Sequence, residues 1–255
     1  MSKQESLIIG RQPLIEALQS GRIIDKILVQ NNANGEVLSQ IRALSKEFNI
    51  PMQMVPAEKL NYMSKANHQG IIALAALVKY KDLQTVITEV IEKGEKPLFI
   101  MLDSITDVRN IGAIARSAYC CGSHAIIIPD KGVGALNEEA MKSSAGALEH
   151  INIIRVNSLI KAVDTLHENG IMVFTSDMKA PKKVYELALT EPCCIIMGNE
   201  EKGVQPYLAK AADEYFTIPM ATTFDSFNVS VATGIILYEA MKQRMVIEQS
   251  IVNSQ

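Results

Sequence analysis

Three short polar clusters hold the residues best suited to chemistry. In the first, Leu102-Asp103-Ser-Ile-Thr-Asp-Val-Arg-Asn110-Ile-Gly-Ala-Ile-Ala-Arg116, the Asn110 amide stands six residues ahead of a guanidinium whose fork of donors suits a phosphate. The second is Gly198-Asn-Glu200-Glu-Lys-Gly203, where two glycines around acidic residues suggest backbone held close to a ligand with carboxylates on its rim. The third joins Ile218-Pro-Met to Ser226-Phe227-Asn228-Val-Ser-Val-Ala across a polar turn at 221–227. Asn110, Ser226 and Asn228 are all of the type that caps a helix N-terminus, so each also has a plain structural use.

Other chemistries find little support. The second cluster lacks the Lys-Ser/Thr of a P-loop, and no GxGxxG follows a strand, so neither a Walker-type NTPase nor a dinucleotide-binding dehydrogenase is supported. The cysteines come as the adjacent pairs Cys120-Cys121 and Cys193-Cys194 inside apolar stretches, and are expected as reduced core thiols. His68, His124, His150 and His167 are scattered, and no metal site is expected. His68, in His68-Gln69-Gly70 before an apolar run, is expected in a turn.

These clusters need a scaffold of alternating strands and helices. Over the last two thirds of the chain, apolar runs at 98–102, 124–129, 151–156, 171–176 and 193–198 predict buried strands. Helices are expected at 110–121, 137–147, 158–168, somewhere within 182–189, and at 205–211, which points to a mostly parallel sheet covered on both faces. The first two clusters follow strands, at the carboxyl edge where such sheets bind ligands. After the third, Val229–Met241 is apolar on nearly every face and predicts a buried helix.

The first 80 residues form a smaller α/β unit. Gly10 opens a helix to about Ser20, Lys26–Val29 and Met52–Val55 are strands, and Pro56 opens a short helix. Val37, Ile41, Leu44 and Phe48 fall at helical spacing, and Ile71–Val78 reads as a central strand. Lys79-Tyr-Lys81 marks the break, after which Asp82 caps a helix that Gly94 and Pro97 terminate. The expected domains are 1–80, a connector at 81–96, and 97–255.

The chain has 255 residues, 48% apolar and 21% charged, with net charge −3, so it does not coat nucleic acid by bulk charge. The charge is uneven: residues 1–80 carry nine Lys/Arg against six Asp/Glu, or +3, leaving −6 for the rest. That polarity permits the first unit to meet a phosphate backbone. No apolar run is long enough to span a bilayer, and a cytoplasmic protein is expected.

Taken together, the Asn110–Arg116 block, Gly198-Asn-Glu200-x-x-Gly203, and Ile218-Pro-Met with Ser226-x-Asn228-Val-Ser resemble the SpoU (TrmH-type) family of RNA ribose 2'-O-methyltransferases, within the SPOUT superfamily. His68-Gln69-Gly70-Ile71 looks like the end of the substrate-binding domain in members acting on large-subunit ribosomal RNA. The resemblance spans almost the whole chain. It implies an α/β fold with a deep trefoil knot and a mostly parallel sheet in the C-terminal domain, S-adenosylmethionine as methyl donor, and a homodimer whose interface helps form the site. It also implies an RNA substrate, ribosomal in preference to transfer RNA, with a guanosine ribose as target and no membrane or metal partner.

Residue by residue, the resemblance makes Asn110, Arg116, Glu200, Ser226 and Asn228 the catalytic group. Gly198, Gly203, Ile218 and Phe227 become donor-binding positions. The chain departs from the family pattern at Val108, Glu201, Thr222 and Phe227, which bears on the shape of the donor pocket. Two other readings are a non-catalytic RNA-binding relative and an unrelated α/β enzyme that binds a nucleotide.

Overall fold

The computed structural model describes residues 7–48, 50–134, 136–222 and 226–252, with side chains described as far as residue 246. The chain separates into two compact units between Lys79 and Tyr80.

The first unit runs β1 (Leu7–Ile9), α1 (Arg11–Gln19), β2 (Ile24–Gln30), α2 (Glu36–Glu47), β3 (Met52–Val55), α3 (Ala57–Met63) and β4 (Ile71–Ala75). Its sheet has the order β1-β4-β2-β3, with β4 antiparallel to both neighbours and β3 parallel to β2. The apolar run from Ile71 is internal as expected, because Ile71, Ile72 and Ala73 are fully buried. Helices α1 and α2 cover one face through Leu14, Leu18, Leu38 and Ile41, while Leu60 of α3 packs on the other beside Val55, Leu28 and Ile72. The inward face of α2 differs from the expected one: Val37 and Phe48 are exposed, and Leu38 and Ser45 take the inner positions. Serine is tolerated there because its hydroxyl donates to the Ile50 carbonyl at 2.9 Å.

In the second unit β5 (Tyr80–Lys81) and α4 (Leu83–Glu92) precede the alternation of β6 (Leu98–Leu102), α5 (Val108–Cys120), β7 (Ala125–Pro129), α6 (Glu138–Ser143), β8 (Asn152–Val156), α7 (Leu159–Glu168), β9 (Met172–Ser176), β10 (Cys193–Met197), α8 (Pro206–Ala209), β11 (Glu214–Phe216) and α9 (Val229–Val252). Asp82 caps α4 as expected, accepting from the Thr85 amide at 2.9 Å. The seven strands are all parallel, in the order β11-β9-β10-β6-β7-β8-β5. β1, β5 and β11 go beyond the expected strands. The helix expected at 137–147 is shorter than predicted, and that within 182–189 is a single 3-10 turn at Val184–Glu186.

Every residue of β6 is fully buried, so both faces of the sheet are covered. Phe99, Met101, Cys194 and Ile196 pack with α4, α7 and α8; the alternate residues point the other way, toward α5, which packs against α6 and α9. Gly112 allows the α5–α6 approach, since a Cβ there would collide with the Ser143 side chain and the Ala140 carbonyl.

Near the opposite end of the sheet from the site, Arg244 of α9 ties the helix to four backbone carbonyls: Lys96 at 2.6 Å, Leu189 at 3.0 Å, and Pro97 and Glu191 at 3.1 Å each. The Pro97 carbonyl also accepts from the Cys193 amide at 2.9 Å, so Arg244 ties α9 to the start of the β6/β10 pair, and its charge strengthens each bond. Arg244→Met keeps much of the aliphatic stem and loses every donor. It should cost on the order of 2–3 kcal/mol in urea unfolding with little change in m.

The cysteine pairs differ from each other. Cys193 and Cys194 are core thiols as expected, and burial pushes the Cys193 thiol up to about 11 and that of Cys194 well above its ordinary value. Cys120 is exposed and Cys121 half-buried, because α5 turns its last residues to solvent. A thiol reagent at pH 8 should therefore label Cys120 rapidly in the folded protein, and all four cysteines only after denaturation.

Among the described residues, no helix is long and apolar enough to cross a membrane, and no group of three His, Cys, Asp or Glu could hold a metal ion.

Candidate functional site

β10 lies between β6 and β9, so the chain reverses its direction of travel across the sheet at the β6/β10 pair. A crevice beyond the carboxyl ends of two such strands is where open parallel sheets bind ligands. Both the first and second clusters leave from this pair.

The two strand ends are stitched together by groups 102 residues apart in sequence. Asp103, only 1% exposed, accepts from the Gln205 backbone amide at 2.7 Å and from its side-chain amide at 2.8 Å. The carbonyl of Ser104, held at φ 60°, accepts from Nδ2 of the Asn199 side chain at 3.3 Å. A non-glycine residue in the left-handed region costs of order 1 kcal/mol, which these bonds offset. Asp103 lies within the first polar cluster but its type gives no role away, and Gln205 carried no signal in the sequence, because the two meet only once the strands are paired.

The glycines of the second cluster serve the loop's own closure. A Cβ on Gly198 would come within 2.5 Å of the Gly203 carbonyl oxygen and closer still to the Gly203 carbonyl carbon and the Val204 nitrogen. Gly203 has open space but a φ of +67°. Its amide donates to the Asn199 carbonyl at 2.8 Å, so the loop folds back on itself. The close approach at Gly198 is thus backbone to backbone within the loop.

That tight loop presents Glu200. The carboxylate oxygen Oε1 accepts from Nδ2 of Asn110 at 2.7 Å and from Nδ2 of Asn228 at 3.4 Å, and Asn228 Nδ2 also lies 3.1 Å from Asn110 Oδ1. One residue from each cluster meets here. Asn110 can take part because it does not cap α5: Asp107 does, accepting from the Arg109 amide at 2.8 Å, so Asn110 sits in the first turn with its side chain free of that duty. The side-chain hydrogen bond from Arg109, followed by its backbone hydrogen bond, holds the Asp107 carboxyl below its ordinary range.

Asn228 does cap α9: its Oδ1 accepts from the Ser230 amide at 2.9 Å and the Ser230 hydroxyl at 2.6 Å. Its Nδ2 faces the network. One side chain thus serves the cap and the contact with Glu200 together, since the amide has a separate donor and acceptor. Ser226, expected as an alternative cap, lies exposed two residues earlier. Part of the polar turn, Thr223–Asp225, falls outside the described residues.

Arg116 is exposed on α5, and among the described residues it has no hydrogen-bond or ion-pair partner. Gly112, one turn earlier on nearly the same face, is buried against α6, and Ala115 and Ala118 are buried in the core, so only the long side chain of Arg116 reaches solvent there. A solvated guanidinium with no internal partner keeps its full set of donors for an external anion.

Ile218 and Phe227 line one cavity of about 590 Å³ with Val184, Tyr185, Val231 and Tyr238, while Gly198 and Gly203 do not line it. The cavity follows from a departure in α9. The helix was expected to be buried all round, yet among its described side chains only Val229, Thr233, Ile236, Leu237 and Ala240 are buried, and Val231 and Tyr238 are 51% and 60% exposed.

Comparison with known proteins gives independent findings. Residues 97–238 match the model of the SpoU rRNA Methylase family, and residues 7–81 match that of the RNA 2'-O ribose methyltransferase substrate-binding domain. The chain is 34% identical over 245 residues to YacO of Bacillus subtilis, assigned to the TrmH family of tRNA/rRNA methyltransferases, with 96% of this chain and 98% of that one covered. A Staphylococcus aureus protein with the same family assignment is 32% identical over 241 residues, covering 94% and 97%. Among solved structures, the SpoU methyltransferase AviRb of Streptomyces viridochromogenes, in complex with the cofactor AdoMet, superposes with a TM-score of 0.61 at 23% identity, covering 94% of this chain and 90% of that one. At that identity the superposition speaks to the fold.

Proposed function

The chain belongs to the SpoU rRNA Methylase family, and from that membership we propose that it transfers a methyl group from S-adenosylmethionine to a ribose 2'-hydroxyl of RNA. The observation that carries the reading is the Asn110–Glu200–Asn228 network, three polar residues from three separate segments joined above the β6/β10 switch point. The acceptor is proposed to be a guanosine of large-subunit ribosomal RNA. The +3 balance of the first 80 residues and the substrate-binding match over residues 7–81 support an RNA-facing first unit. Membership also carries the further proposals of a trefoil knot, a cytoplasmic location and a homodimer.

The residues present suit the donor. An apolar cavity of about 590 Å³ falls in the ordinary range for small-molecule sites and has Ile218 and Phe227 on its wall for an adenine ring. When bound, S-adenosylmethionine supplies a methyl group activated by a sulfonium. Ile218 and Phe227 would hold it, with the backbone of the 198–203 loop. The chain must align the ribose hydroxyl and stabilise the oxygen as its proton leaves. Asn110 and Asn228 fix Glu200 through Oε1, leaving Oε2 outside the network as an acceptor toward a ribose hydroxyl. Arg116 binds the phosphate beside the target ribose and favours the developing alkoxide. A guanidinium does not readily give up a proton, so its role is electrostatic.

The dimer reading is supported by the half-exposed apolar strip of Val231 and Tyr238 on α9, which a second copy would cover. Sedimentation at micromolar concentration should then give twice the chain mass.

The experiment incubates the protein with labelled S-adenosylmethionine and deproteinised RNA from a strain lacking its gene, then maps alkali-resistant linkages. Label at one ribose of large-subunit RNA is expected. Label on a base, or in transfer RNA alone, would overturn the acceptor assignment, and donor binding without transfer to any RNA would point to a non-catalytic relative.

A further inference from the structure

Tyr62, on α3 of the first unit, is 90% exposed, far more than any other exposed tyrosine described, Tyr238 at 60% being next. Among the described residues its ring and hydroxyl have no partner. An amphipathic ring held in water gains nothing for the fold, and α3 is anchored without it by Leu60, fully buried. We propose that Tyr62 is a stacking platform for an unpaired nucleotide of the substrate RNA, with Lys59 and Lys65 as its phosphate contacts. The proposal rests on the chain being an RNA methyltransferase, and it adds a docking residue to that reading.

Three features of the surroundings favour RNA as the occupant. Lys59, one helical turn before Tyr62, and Lys65, three residues after it, are both exposed and have no ion pair among the described residues; Glu58 is the one acid in the stretch 57–70. The segment after Tyr62 is pre-shaped. The Gly70 amide donates to His68 Nδ1 at 3.0 Å, which leaves the ring proton on Nε2 to donate to Asn61 Oδ1 at 2.9 Å. Arg11 Nε donates to the Gln69 carbonyl at 3.1 Å, holding Gln69 at φ 51°. Finally, Gly70 lies against Gln30 and Ala33, which brings the exposed amides Asn31, Asn32 and Asn34 to the same end of the sheet. An exposed ring beside cations and a rigid, amide-rich rim is the chemistry that recognises splayed single-stranded bases, and a paired duplex offers no free base face to the ring.

The test uses the full chain and deproteinised large-subunit ribosomal RNA from a strain lacking the gene. Tyr62→Ala is expected to weaken RNA binding and raise KM for RNA roughly 5- to 100-fold, with kcat at saturating RNA, donor affinity and the thermal midpoint unchanged. Tyr62→Phe should retain binding, and Lys65→Ala should reduce the salt dependence of log K by about 0.7–1. Ultraviolet cross-linking should join Tyr62 to an unpaired nucleotide. Wild-type RNA affinity in Tyr62→Ala would overturn the proposal, and loss of association with intact ribosomal particles alone would show a protein-docking residue instead. If the wild-type chain methylates no RNA, the broader reading has failed; if it does and Tyr62→Ala matches it, only the platform has.

Discussion

Arg116→Ala is expected to lower RNA methylation by at least about 100-fold while changing unfolding stability by less than about 0.5 kcal/mol. The structural half of that expectation follows from the position. Arg116 is exposed, lies within α5 and touches no partner among the described residues, and alanine is the best helix former, so the fold loses nothing it was using. The catalytic half follows from the reaction. As a hydroxyl attacks a methyl group it loses its proton, and a nearby guanidinium lowers the energy of the negative oxygen most where that charge is greatest. Losing one such donor commonly costs 10²–10³ in rate.

Arg116→Lys divides the role further. It keeps the positive charge and loses the two-pronged geometry, so a fall of about tenfold with most RNA affinity retained would mark bidentate contact. Lysine at the wild-type rate would show that the fork is unused. A rise in KM for RNA at unchanged kcat in the alanine variant would restrict Arg116 to holding the phosphate. Steady-state kinetics at saturating donor, with a denaturation curve for each variant, separates these outcomes.

The scaffold that carries Arg116 was largely legible as sequence because its strands are continuous apolar runs. Leu98–Leu102 and Cys193–Met197 sit at the centre of a sheet covered on both faces, and burial on both sides removes every polar residue. Tyr80–Lys81 pairs with β8 at the sheet's edge in only two residues, too short for any periodicity, and Glu214–Phe216 at the other edge has only three. The sequence pointed to Asn110 as the cap of α5, and the cap is Asp107, three residues earlier. Both are good N-caps, and the deciding fact is that Asn110 meets Glu200, 90 residues away.

The site shows the same division. Asn110, Glu200 and Asn228 were identifiable from their types and from the resemblance, and all three meet. The members that hold them in place were not identifiable, because Asp103 and Gln205 find each other only through the adjacency of β6 and β10. Arg116 and Ser226 are exposed and unbound to the network, which fits residues whose partner is an RNA absent from the free chain.

Gly198→Ala is expected to abolish donor binding and methylation together and to destabilise the second unit by about 2–4 kcal/mol. The added methyl would meet the backbone of Gly203 and Val204 rather than a flexible side chain, so relief requires the loop to open. Opening it draws Gln205 away from Asp103, a carboxylate 1% exposed whose bonds at 2.7 and 2.8 Å come from that residue. A buried carboxylate deprived of such donors is costly. The same movement carries Glu200 away from Asn110 and Asn228, so the loss of activity and the loss of stability share one cause. Gly203→Ala provides the contrast: its Cβ has open space and the penalty is the left-handed φ of +67° alone, about 1 kcal/mol, with activity reduced only modestly. Thermal melts and calorimetric titration with S-adenosylmethionine should rank wild type above Gly203→Ala, and Gly203→Ala far above Gly198→Ala. Equal losses in the two variants would mean that backbone conformation, and not the close approach at Gly198, shapes the loop.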